Sequence, residues 1–317
     1  MKAALCTRYG PPEVVRIGDI PKPKPKSGEV LIKVIATTVH YGDTRIRDFK
    51  VPWQVWIPSR LYLGIFRPRR PVFGFELAGI VEALGDGVSN YAVGDEVFAQ
   101  TLNHGFGAHA EYKCLPADSK MLARKPANAT FAEAAAVPTG ATTALRVLRN
   151  VDIGPGMDVL VYGASGSVGT NAVQLARHYG ARVTGVTSAK NLDLVRSLGA
   201  DATIDYQADD VAERPERYDV VFDAVGKLER GKAERILKPG GRALSVLKGP
   251  YPEKDDDLVF IRDLMEKGEL RAVVERTYPL ADIVAAHRHV GAGHKVGAVV
   301  IVVDPDLAFE QTARKVE

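Results

Sequence analysis

The sequence predicts an α/β protein that combines a β-rich part with a doubly wound parallel sheet. Three observations predict this class: β-branched strand candidates between residues 30 and 100, alternating strand and helix patterns after residue 150, and a glycine-rich turn where that alternation begins. Strands that alternate with helices form a parallel sheet, because each helix returns the chain across one face of the sheet.

The β-rich part covers about the first third of the chain. Residues 30–38 (VLIKVIATT) are rich in β-branched side chains, and residues 76–84 and 96–100 repeat this pattern. The glycines and aspartates at 85–87 and 94–95 supply turns between the strand candidates. We therefore expect a β-rich domain up to about residue 116.

The pattern changes near residue 127 and becomes helical, then alternating. An Ala-rich helical stretch at 131–148 is interrupted by Pro138 and Gly140. The alternating elements are a strand at 158–162, a helix at 167–179, a strand at 182–186, a helix at 191–198, and strands at 202–204, 220–223 and 242–247. The last part of the chain predicts a helix at 258–266, a strand at 270–274, a helix at 280–289 and a strand at 298–303.

Composition excludes several function classes. The 317 residues are 46% hydrophobic and 26% charged, as in a globular chain long enough for two domains. The net charge of +3 favours neither nucleic acid nor a membrane as partner. The first residues do not resemble a signal peptide, and no apolar run approaches the roughly 18 residues of a membrane helix. A cytoplasmic, reducing location is therefore the default expectation. Cys6 and Cys114 lie in apolar, strand-like stretches and are predicted to be buried thiols.

The strongest local signal is the sequence VLVYGASGSVG at residues 159–169. Gly163, Gly166 and Gly169 have a GxxGxxG spacing, whereas GxGxxG is commoner in dinucleotide-binding turns. Because a buried strand precedes the turn and an amphipathic helix follows it, backbone N–H groups and the positive helix end can receive a pyrophosphate. The alternative is a tight turn selected only for packing.

The next strand indicates which dinucleotide binds. An NAD site places Asp or Glu about 20 residues beyond the glycines, where it holds the ribose 2′-hydroxyl. Here Thr187 occupies that position, and Ser188 and Lys190 can donate hydrogen bonds to a 2′-phosphate. The sequence therefore favours NADPH over NADH, with the alternative that Lys190 only begins a solvated helix.

Several separated segments carry a family resemblance. They are residues 74–97 (GFELAGIVEALGDGVSNYAVGDEV), 135–145 (AAVPTGATTAL), 163–180 (GASGSVGTNAVQLARHYG), 198–206 (LGADATIDY), 219–226 (DVVFDAVG) and 237–241 (LKPGG). In this order they resemble the quinone oxidoreductase branch of the medium-chain dehydrogenase/reductases. The resemblance implies a GroES-like β-barrel catalytic domain, residues 1–122 and 251–317, and a Rossmann NADPH-binding domain, residues 123–250, with the active site in the cleft between them. It also implies a homodimer formed through edge strands of the Rossmann sheet.

The resemblance also assigns cofactor contacts one position at a time. Residues Ser165, Gly166, Ser167 and Val168 would line the pyrophosphate. Ser188, Lys190 and Tyr206 match residues that hold the 2′-phosphate, although Tyr206 alone would suggest packing at a strand end. Thr139 would approach the nicotinamide, and Val225 and Leu247 would flank the ribose and nicotinamide.

The sequence predicts that no zinc is bound. Zinc alcohol dehydrogenases of this superfamily use three ligands, whose positions correspond here to His40, Phe75 and Ala135. Phe and Ala cannot bind zinc, and the four-cysteine structural lobe is missing. Without zinc as a Lewis acid, nothing polarises the oxygen of a simple alcohol for oxidation. Hydride transfer to an activated acceptor depends less on such polarisation.

We therefore predict that the nicotinamide delivers hydride to a small hydrophobic acceptor, either an α,β-unsaturated carbonyl or a quinone. The candidate catalytic residues are His40, Tyr41 and Asp43, which match the family's active-site strand end, although relatives often have Asn-Pro before the Asp. His40 or Tyr41 would hydrogen-bond the carbonyl oxygen or supply a proton through water. For Asp43, the favoured alternative is a structural ion pair with Arg45. For His40 and Tyr41, an equal alternative is that their rings only pack.

Four further features stay open. The apolar residues Trp53, Trp56, Tyr62 and Phe66 fit a substrate pocket, a lid or a dimer contact, but core packing is favoured. His104 and His109 are predicted to serve turn and strand structure. The stretch 248–258 is shorter than in relatives. Residues 294–298 lack the usual basic residue after the glycine, and Lys295 is the candidate to replace it. Alternative functions are a zinc-independent carbonyl or alcohol dehydrogenase and an NADPH-binding scaffold.

Overall fold

The computed structural model describes residues 1–51, 53–249, 254 and 256–310. The strands are β1 (Lys2–Cys6), β2 (Val15–Asp19), β3 (Glu29–Thr38), β4 (Glu76–Leu84), β5 (Glu96–Gln100), β6 (Tyr112–Pro116), β7 (Leu122–Arg124), β8 (Asp158–Tyr162), β9 (Arg182–Thr187), β10 (Ala202–Asp205), β11 (Tyr218–Asp223), β12 (Leu237–Ser245), β13 (Val274–Pro279) and β14 (Ala298–Val302). The α-helices are α1 (Tyr41–Asp48), α2 (Trp56–Leu63), α3 (Phe131–Ala135), α4 (Pro138–Leu148), α5 (Ser167–His178), α6 (Leu192–Ser197), α7 (Arg230–Arg235), α8 (Asp257–Glu266) and α9 (Ile283–Gly291).

The chain divides into two compact units. The first unit contains Met1–Pro138, Leu258–Glu266 and Val274–Glu317, and the second contains Thr139–Asp257 and Lys267–Val273. The domain boundaries expected from the sequence, at residues 122/123 and 250/251, remain a prediction.

The first unit is built on a mixed sheet with the order β13-β14-β3-β4-β5-β7, and β6 also pairs with β3. Strand β3 lies in its middle and is almost fully buried, because nearly all of its side chains are apolar or small. It pairs antiparallel with β4, and Thr37 lies opposite Leu77. This register brings the end of β3 beside the start of β4, so the residues that follow β3 and precede β4 become neighbours.

The second unit contains the parallel sheet predicted from the sequence. Its five strands have the order β10-β9-β8-β11-β12, and all pairs are parallel. Strand β8 is central, and Val159, Leu160 and Val161 have no exposed surface because helices cover a parallel sheet on both faces. The chain adds β9 and β10 on one side of β8 and then β11 and β12 on the other. Ligands bind at the carboxyl ends of strands beside such a reversal.

One predicted strand, at 270–274, is wrong. Residues 267–273 form turns and irregular backbone, and β13 begins only at Val274. The side chain of Gln174 replaces a strand partner: its Oε1 accepts the N–H of Arg271 at 2.8 Å, and its Nε2 donates to the Arg271 carbonyl at 3.1 Å. The helical stretch 131–148 is confirmed as two helices, with Pro138 at the start of α4, where its missing N–H costs nothing.

The favoured core packing of the apolar segment 53–66 is also wrong. Trp53 is 82% exposed and Phe66 is 91% exposed, and α2 contains no buried residue. Among the described helices, none is long and apolar enough to cross a membrane. The shortened stretch 248–258 lies largely outside the described residues.

The two cysteines are free thiols. Cys6 is buried, as predicted, whereas Cys114 is only partly buried. Burial is the main cause that raises the pKa of each thiol to about 11. Neither thiol is therefore a ready nucleophile at neutral pH.

Candidate active site

The glycine turn of the second unit links β8 to α5. Gly163 has a φ of +81°, which favours glycine, and its N–H donates to the Val186 carbonyl at 3.0 Å. A Cβ on Gly169 would lie 2.1 Å from the Gly163 carbonyl oxygen, so only glycine lets α5 begin this close to the turn. The N-cap, Gly166, offers no side chain to the first N–H groups of α5. This open helix end fits the pyrophosphate of a dinucleotide, with Ser165, Ser167 and Val168 around it.

Hydroxyl and amide groups surround the end of β9. Thr187, in the expected acidic position, is 2% exposed and donates its hydroxyl hydrogen to Ser165 Oγ at 2.7 Å. Asn191 Nδ2 donates to Ser165 Oγ and to Ser188 Oγ, each at 3.2 Å. Asn191 is a site residue that sequence reasoning missed; its signal was an amide side chain directly after Lys190, in the short 3-10 turn Ala189–Asn191.

The structure brings the predicted phosphate-binding residues to adjacent strand ends. Asp205, the last residue of β10, pairs with Thr187, and the N–H of Tyr206 donates to the Thr187 carbonyl at 3.1 Å. Lys190 and Tyr206 are both exposed. The Asp205 carboxylate accepts the N–H of Gln207 at 3.0 Å. The end of β9 therefore offers hydrogen-bond donors and a lysine but no carboxylate. This combination suits a 2′-phosphate better than a 2′-hydroxyl.

Three predicted residues lie at neighbouring element ends of the same unit. Thr139 is buried next to Gly140, where a Cβ would lie 2.6 Å from the Ser167 carbonyl oxygen, so the start of α4 lies against the start of α5. Val225 and Leu247 follow β11 and β12, and both are exposed. Sequence reasoning missed Asp223, whose carboxylate accepts the N–H groups of residues 225, 226 and 228 and fixes the turn after β11.

In the first unit, His40 follows β3 and is the N-cap of α1. Its Nδ1 accepts the N–H of Gly42 at 3.0 Å, so the proton of the neutral ring is assigned to Nε2. Burial, and to a lesser degree the positive charge of Lys295, lower the pKa of His40 to about 3. His40 is therefore a neutral hydrogen-bond donor at ordinary pH.

Asp43 lies behind His40 and is completely buried. Its Oδ2 accepts the N–H of His40 at 2.8 Å, and its Oδ1 accepts the N–H of Gly74 at 2.9 Å. Both carboxylate oxygens of Asp43 thus accept hydrogen bonds from backbone N–H groups, an arrangement that holds His40 in place, and the catalytic role predicted for Asp43 stays a prediction. The alternative ion pair with Arg45 is not found among the described ion pairs.

Tyr41, the first residue of α1, is 46% exposed, and its ring centroid lies 5.9 Å from the Arg45 guanidinium carbon. It remains a candidate. His109, predicted to be structural, is buried, and its Nε2 lies 2.8 Å from the Thr38 carbonyl oxygen. His104 Nε2 lies 2.7 Å from Ser119 Oγ, so both histidines contact protein groups.

Lys295 is a half-buried cation close enough to His40 to affect its titration. Its Nζ donates to the Gly297 carbonyl, and burial lowers its pKa to about 8, against an opposing effect of the Glu76 carboxylate. The missing basic residue after Gly297 was the only signal in the sequence that a nearby lysine has a role.

The three positions expected for zinc ligands carry His40, Phe75 and Ala135. The rings of His40 and Phe75 lie 5.4 Å apart, centroid to centroid, so these two positions are adjacent. Within the described parts of the chain, no group of three or more His, Cys, Asp or Glu side chains could hold a metal ion.

Comparison with known proteins covers both units. Residues 26–146 match the family of alcohol dehydrogenase GroES-like domains, and residues 167–274 match the zinc-binding dehydrogenase family. The chloroplastic NADPH-dependent alkenal/one oxidoreductase of Arabidopsis thaliana is 32% identical over 320 residues, which cover 95% of this chain and 79% of that protein.

Solved structures are similar over nearly the whole chain. The quinone oxidoreductase from Coxiella burnetii has a TM-score of 0.81 at 26% identity, covering 96% of this chain and 99% of that one. An NAD-dependent alcohol dehydrogenase has a TM-score of 0.80 at 28% identity, covering 96% and 100%.

Proposed function

Because the chain belongs to the quinone oxidoreductase branch of the medium-chain dehydrogenase/reductases, we propose that it transfers hydride from NADPH to an α,β-unsaturated carbonyl or a quinone. The observation that carries the proposal is a set of hydrogen-bond donors at the end of β9 that contains no Asp or Glu. These donors are Thr187, Ser188, Lys190 and Asn191. The set favours NADPH, the cofactor that the name of the Arabidopsis relative also gives.

The cofactor supplies the hydride when bound. The glycine turn and the start of α5 would hold its pyrophosphate, and Ser188, Lys190, Asn191 and Tyr206 its 2′-phosphate. Thr139, Val225 and Leu247 would flank the nicotinamide riboside.

The acceptor's carbonyl oxygen would bind to His40 Nε2–H. As the β-carbon gains hydride, the electron pair of the double bond moves toward this oxygen, and a preorganised donor stabilises the developing charge. A neutral imidazole with a pKa of about 3 does not supply the proton. Lys295, with a pKa of about 8, is largely protonated at neutral pH and would supply the proton that completes the reduction, directly or through water.

We also propose that the reaction needs no zinc. The support is chemical: Phe75 and Ala135 stand at two of the three ligand positions, and neither side chain has an atom that binds a metal. Hydride transfer to an activated acceptor is compatible with hydrogen-bond donors alone.

The test is NADPH oxidation against a panel of enones, quinones and saturated aldehydes, with NADH and chelator controls. We expect reduction of enones or quinones that prefers NADPH and is unaffected by the chelator. Tight NADPH binding without turnover of any acceptor would contradict the proposal and indicate a scaffolding role. Loss of activity on chelation would contradict the zinc-free mechanism alone.

A second candidate is a zinc-independent alcohol or carbonyl dehydrogenase. The observation that favours it is the similarity to an NAD-dependent alcohol dehydrogenase structure at a TM-score of 0.80. Oxidation of saturated alcohols with NADP, measured on the same preparation, distinguishes it from enone reduction.

The assembly we propose is a cytoplasmic homodimer. Among the described strands, β12 has a partner only in β11, so its other edge is available for pairing with a second copy. Light scattering would measure the mass. Ala243→Lys, which places a charge on this edge, should yield monomers if the dimer forms here. If the wild-type protein is a dimer and the variant keeps the same mass, the interface lies elsewhere.

A further inference from the structure

Residues 53–70 form an exposed surface that is both apolar and basic, here called the aromatic–basic surface. Its outward apolar side chains are Trp53, Trp56, Ile57, Leu61, Ile65 and Phe66, all at least 45% exposed. Isolated exposed apolar residues are normal, but a contiguous group of this kind marks an interaction site.

This surface is held by few contacts. The eight-residue helix α2 buries none of its side chains, although helices this short are stable only with tertiary packing. Its attachment is polar and aromatic: the Arg60 guanidinium carbon lies 3.6 Å from the Phe49 ring centroid, and Arg60 Nη1 donates to the Ile65 carbonyl at 2.7 Å. Tyr9 Oη donates to the Gly64 carbonyl at 2.9 Å. The Trp56 ring also packs against Phe49, at 5.9 Å between centroids, so these contacts hold the segment while side chains such as Trp53 and Phe66 point outward.

The charge of this segment differs from that of the whole chain. Residues 49–75 contain no Asp or Glu but five basic residues, whereas the complete chain has a net charge of only +3. Lys50 pairs with Asp48. Arg67 and Arg69 are exposed, and the described ion pairs include neither of them. The surface therefore offers unneutralised positive charge directly beside aromatic and aliphatic side chains.

An anionic lipid bilayer matches both properties. Its headgroup phosphates attract arginine, and its interfacial region accepts tryptophan, phenylalanine and leucine side chains to a shallow depth. We propose that the aromatic–basic surface binds the protein peripherally to anionic lipid membranes. The sequence predicts no membrane partner because the net charge of the whole chain is low. That average does not reveal the local concentration of arginine in this segment.

The docked surface lies next to the candidate acceptor site. A cavity of about 140 Å³ on the same segment is lined by Tyr62, Phe73 and Phe106. The Phe106 ring stacks on Phe75 at 5.2 Å, and Phe75 lies 5.4 Å from His40. A row of aromatic rings thus leads from the surface toward His40 and suits an acceptor that dissolves in lipid. This last role rests on the proposed function, but membrane binding does not.

The chain carries its own reporter for the test. It contains two tryptophans, and both belong to the aromatic–basic surface. The complete, untagged protein would be titrated with vesicles of phosphatidylcholine alone and of phosphatidylcholine with phosphatidylglycerol. We expect a blue shift of tryptophan emission and quenching by brominated lipid only with the anionic vesicles, reversed by high salt. No change with either vesicle would overturn the proposal.

Variants that keep both tryptophans locate the contact. Arg67→Glu/Arg69→Glu should weaken vesicle binding by about 30-fold or more, and Phe66→Ser by about tenfold. Arg16→Glu/Lys24→Glu makes the same change in net charge elsewhere on the exposed surface, and Phe309→Ser removes another exposed phenylalanine; both should bind normally. Equal weakening by these controls would contradict a local site.

The competing explanation is that a second copy of the chain covers the aromatic–basic surface. If light scattering without lipid shows an oligomer that Phe66→Ser dissociates, the surface is covered by a second copy and the proposal is wrong. An oligomer unaffected by Phe66→Ser supports the lipid assignment. Because vesicle binding is measured without cofactor or acceptor, its failure is distinct from failure of the proposed reduction.

Discussion

At the scale of single residues, Lys295 gives the protein a testable pH dependence. Burial lowers its pKa to about 8, so the ammonium form that donates a proton disappears as the pH rises through that value. We expect kcat/KM for enone reduction to be constant near neutral pH and to fall above pH 8. In Lys295→Met the rate should be low and this alkaline fall absent. Lys113 is the matched control, since burial also lowers its pKa to about 8, but it lies on β6; Lys113→Met should retain the fall.

His40 combines a chemical and a structural role that substitution can separate. His40→Phe removes both the Nε2 donor and the cap of α1, whereas His40→Asn keeps a side chain that caps a helix. We expect both variants to lower kcat by about 10- to 100-fold, and only His40→Phe to lower Tm. Tyr41→Phe is the corresponding test of Tyr41, the other candidate catalytic residue. Unchanged turnover in this variant would remove Tyr41 from the mechanism.

Lys190 should decide the choice between the two dinucleotides. Loss of a charge-assisted hydrogen bond to a phosphate costs about 1.5–3 kcal/mol, so Lys190→Ala should raise KM for NADPH by about 10- to 100-fold and leave KM for NADH unchanged. Arg217→Ala removes an exposed cation before β11, at the opposite end of the sheet, and should change neither. Equal effects on both cofactors would contradict a 2′-phosphate contact.

At the scale of elements, two glycines of one turn have different tasks. Gly166 has an ordinary φ of −77°, and a Cβ there meets only the Gly163 carbonyl oxygen, at 3.5 Å. A Cβ on Gly169 would lie 2.1 Å from that same oxygen. Gly169→Ala should therefore lower Tm by about 5 °C, since overpacking costs about 1–3 kcal/mol. Gly166→Ala should preserve Tm and weaken NADPH binding; a fall in Tm there would show that Gly166 also serves packing.

Elements also show what sequence could predict. Strands β4, β5 and β8 begin and end where their local patterns predict, because burial of alternating or continuous apolar residues determines them. The family and fold class predicted from the quoted segments are confirmed. The strand predicted at 270–274 failed because a distant side chain, Gln174, occupies the backbone groups of Arg271, and such contacts leave no local signal.

The site divides in the same way. The turn residues and the group at Thr187 and Lys190 follow from spacing along the chain, whereas the influence of Lys295 on His40 depends on distant parts of the first unit. The exposure of Trp53 and Phe66 contradicts the usual burial of large apolar side chains, so a sequence pattern alone favours the wrong answer there.

At the scale of the whole molecule, acid stability should depend on a charge cluster at the amino ends of the parallel strands. Arg182 binds both oxygens of Asp158 at 2.7 and 2.9 Å, and Lys238 Nζ lies 2.7 Å from both Asp158 and Asp219. Hydrogen bonds from Arg182 hold the pKa of Asp158 at about 2. Since the folded pKa is below the unfolded value of about 3.9, this stabilisation is present above pH 4 and is lost as the pH falls toward 2.

Asp158→Asn should therefore lower Tm by about 2–3 °C at neutral pH, a modest value because the cluster is partly exposed, and by much less near pH 2. Asp193→Asn is the control, because its carboxylate is 96% exposed and its pair with Arg196 should contribute nothing measurable. A loss that is the same at both pH values would contradict the electrostatic origin.

The low reactivity of the two cysteine thiols has a consequence for an enzyme that reduces enones. Such acceptors are electrophiles, and they alkylate cysteine through its thiolate form. With pKa values of about 11, Cys6 and Cys114 hold almost no thiolate at neutral pH. Alkylation of these two cysteines by the compounds that the protein is proposed to reduce should therefore be slow in the folded state and faster after partial unfolding.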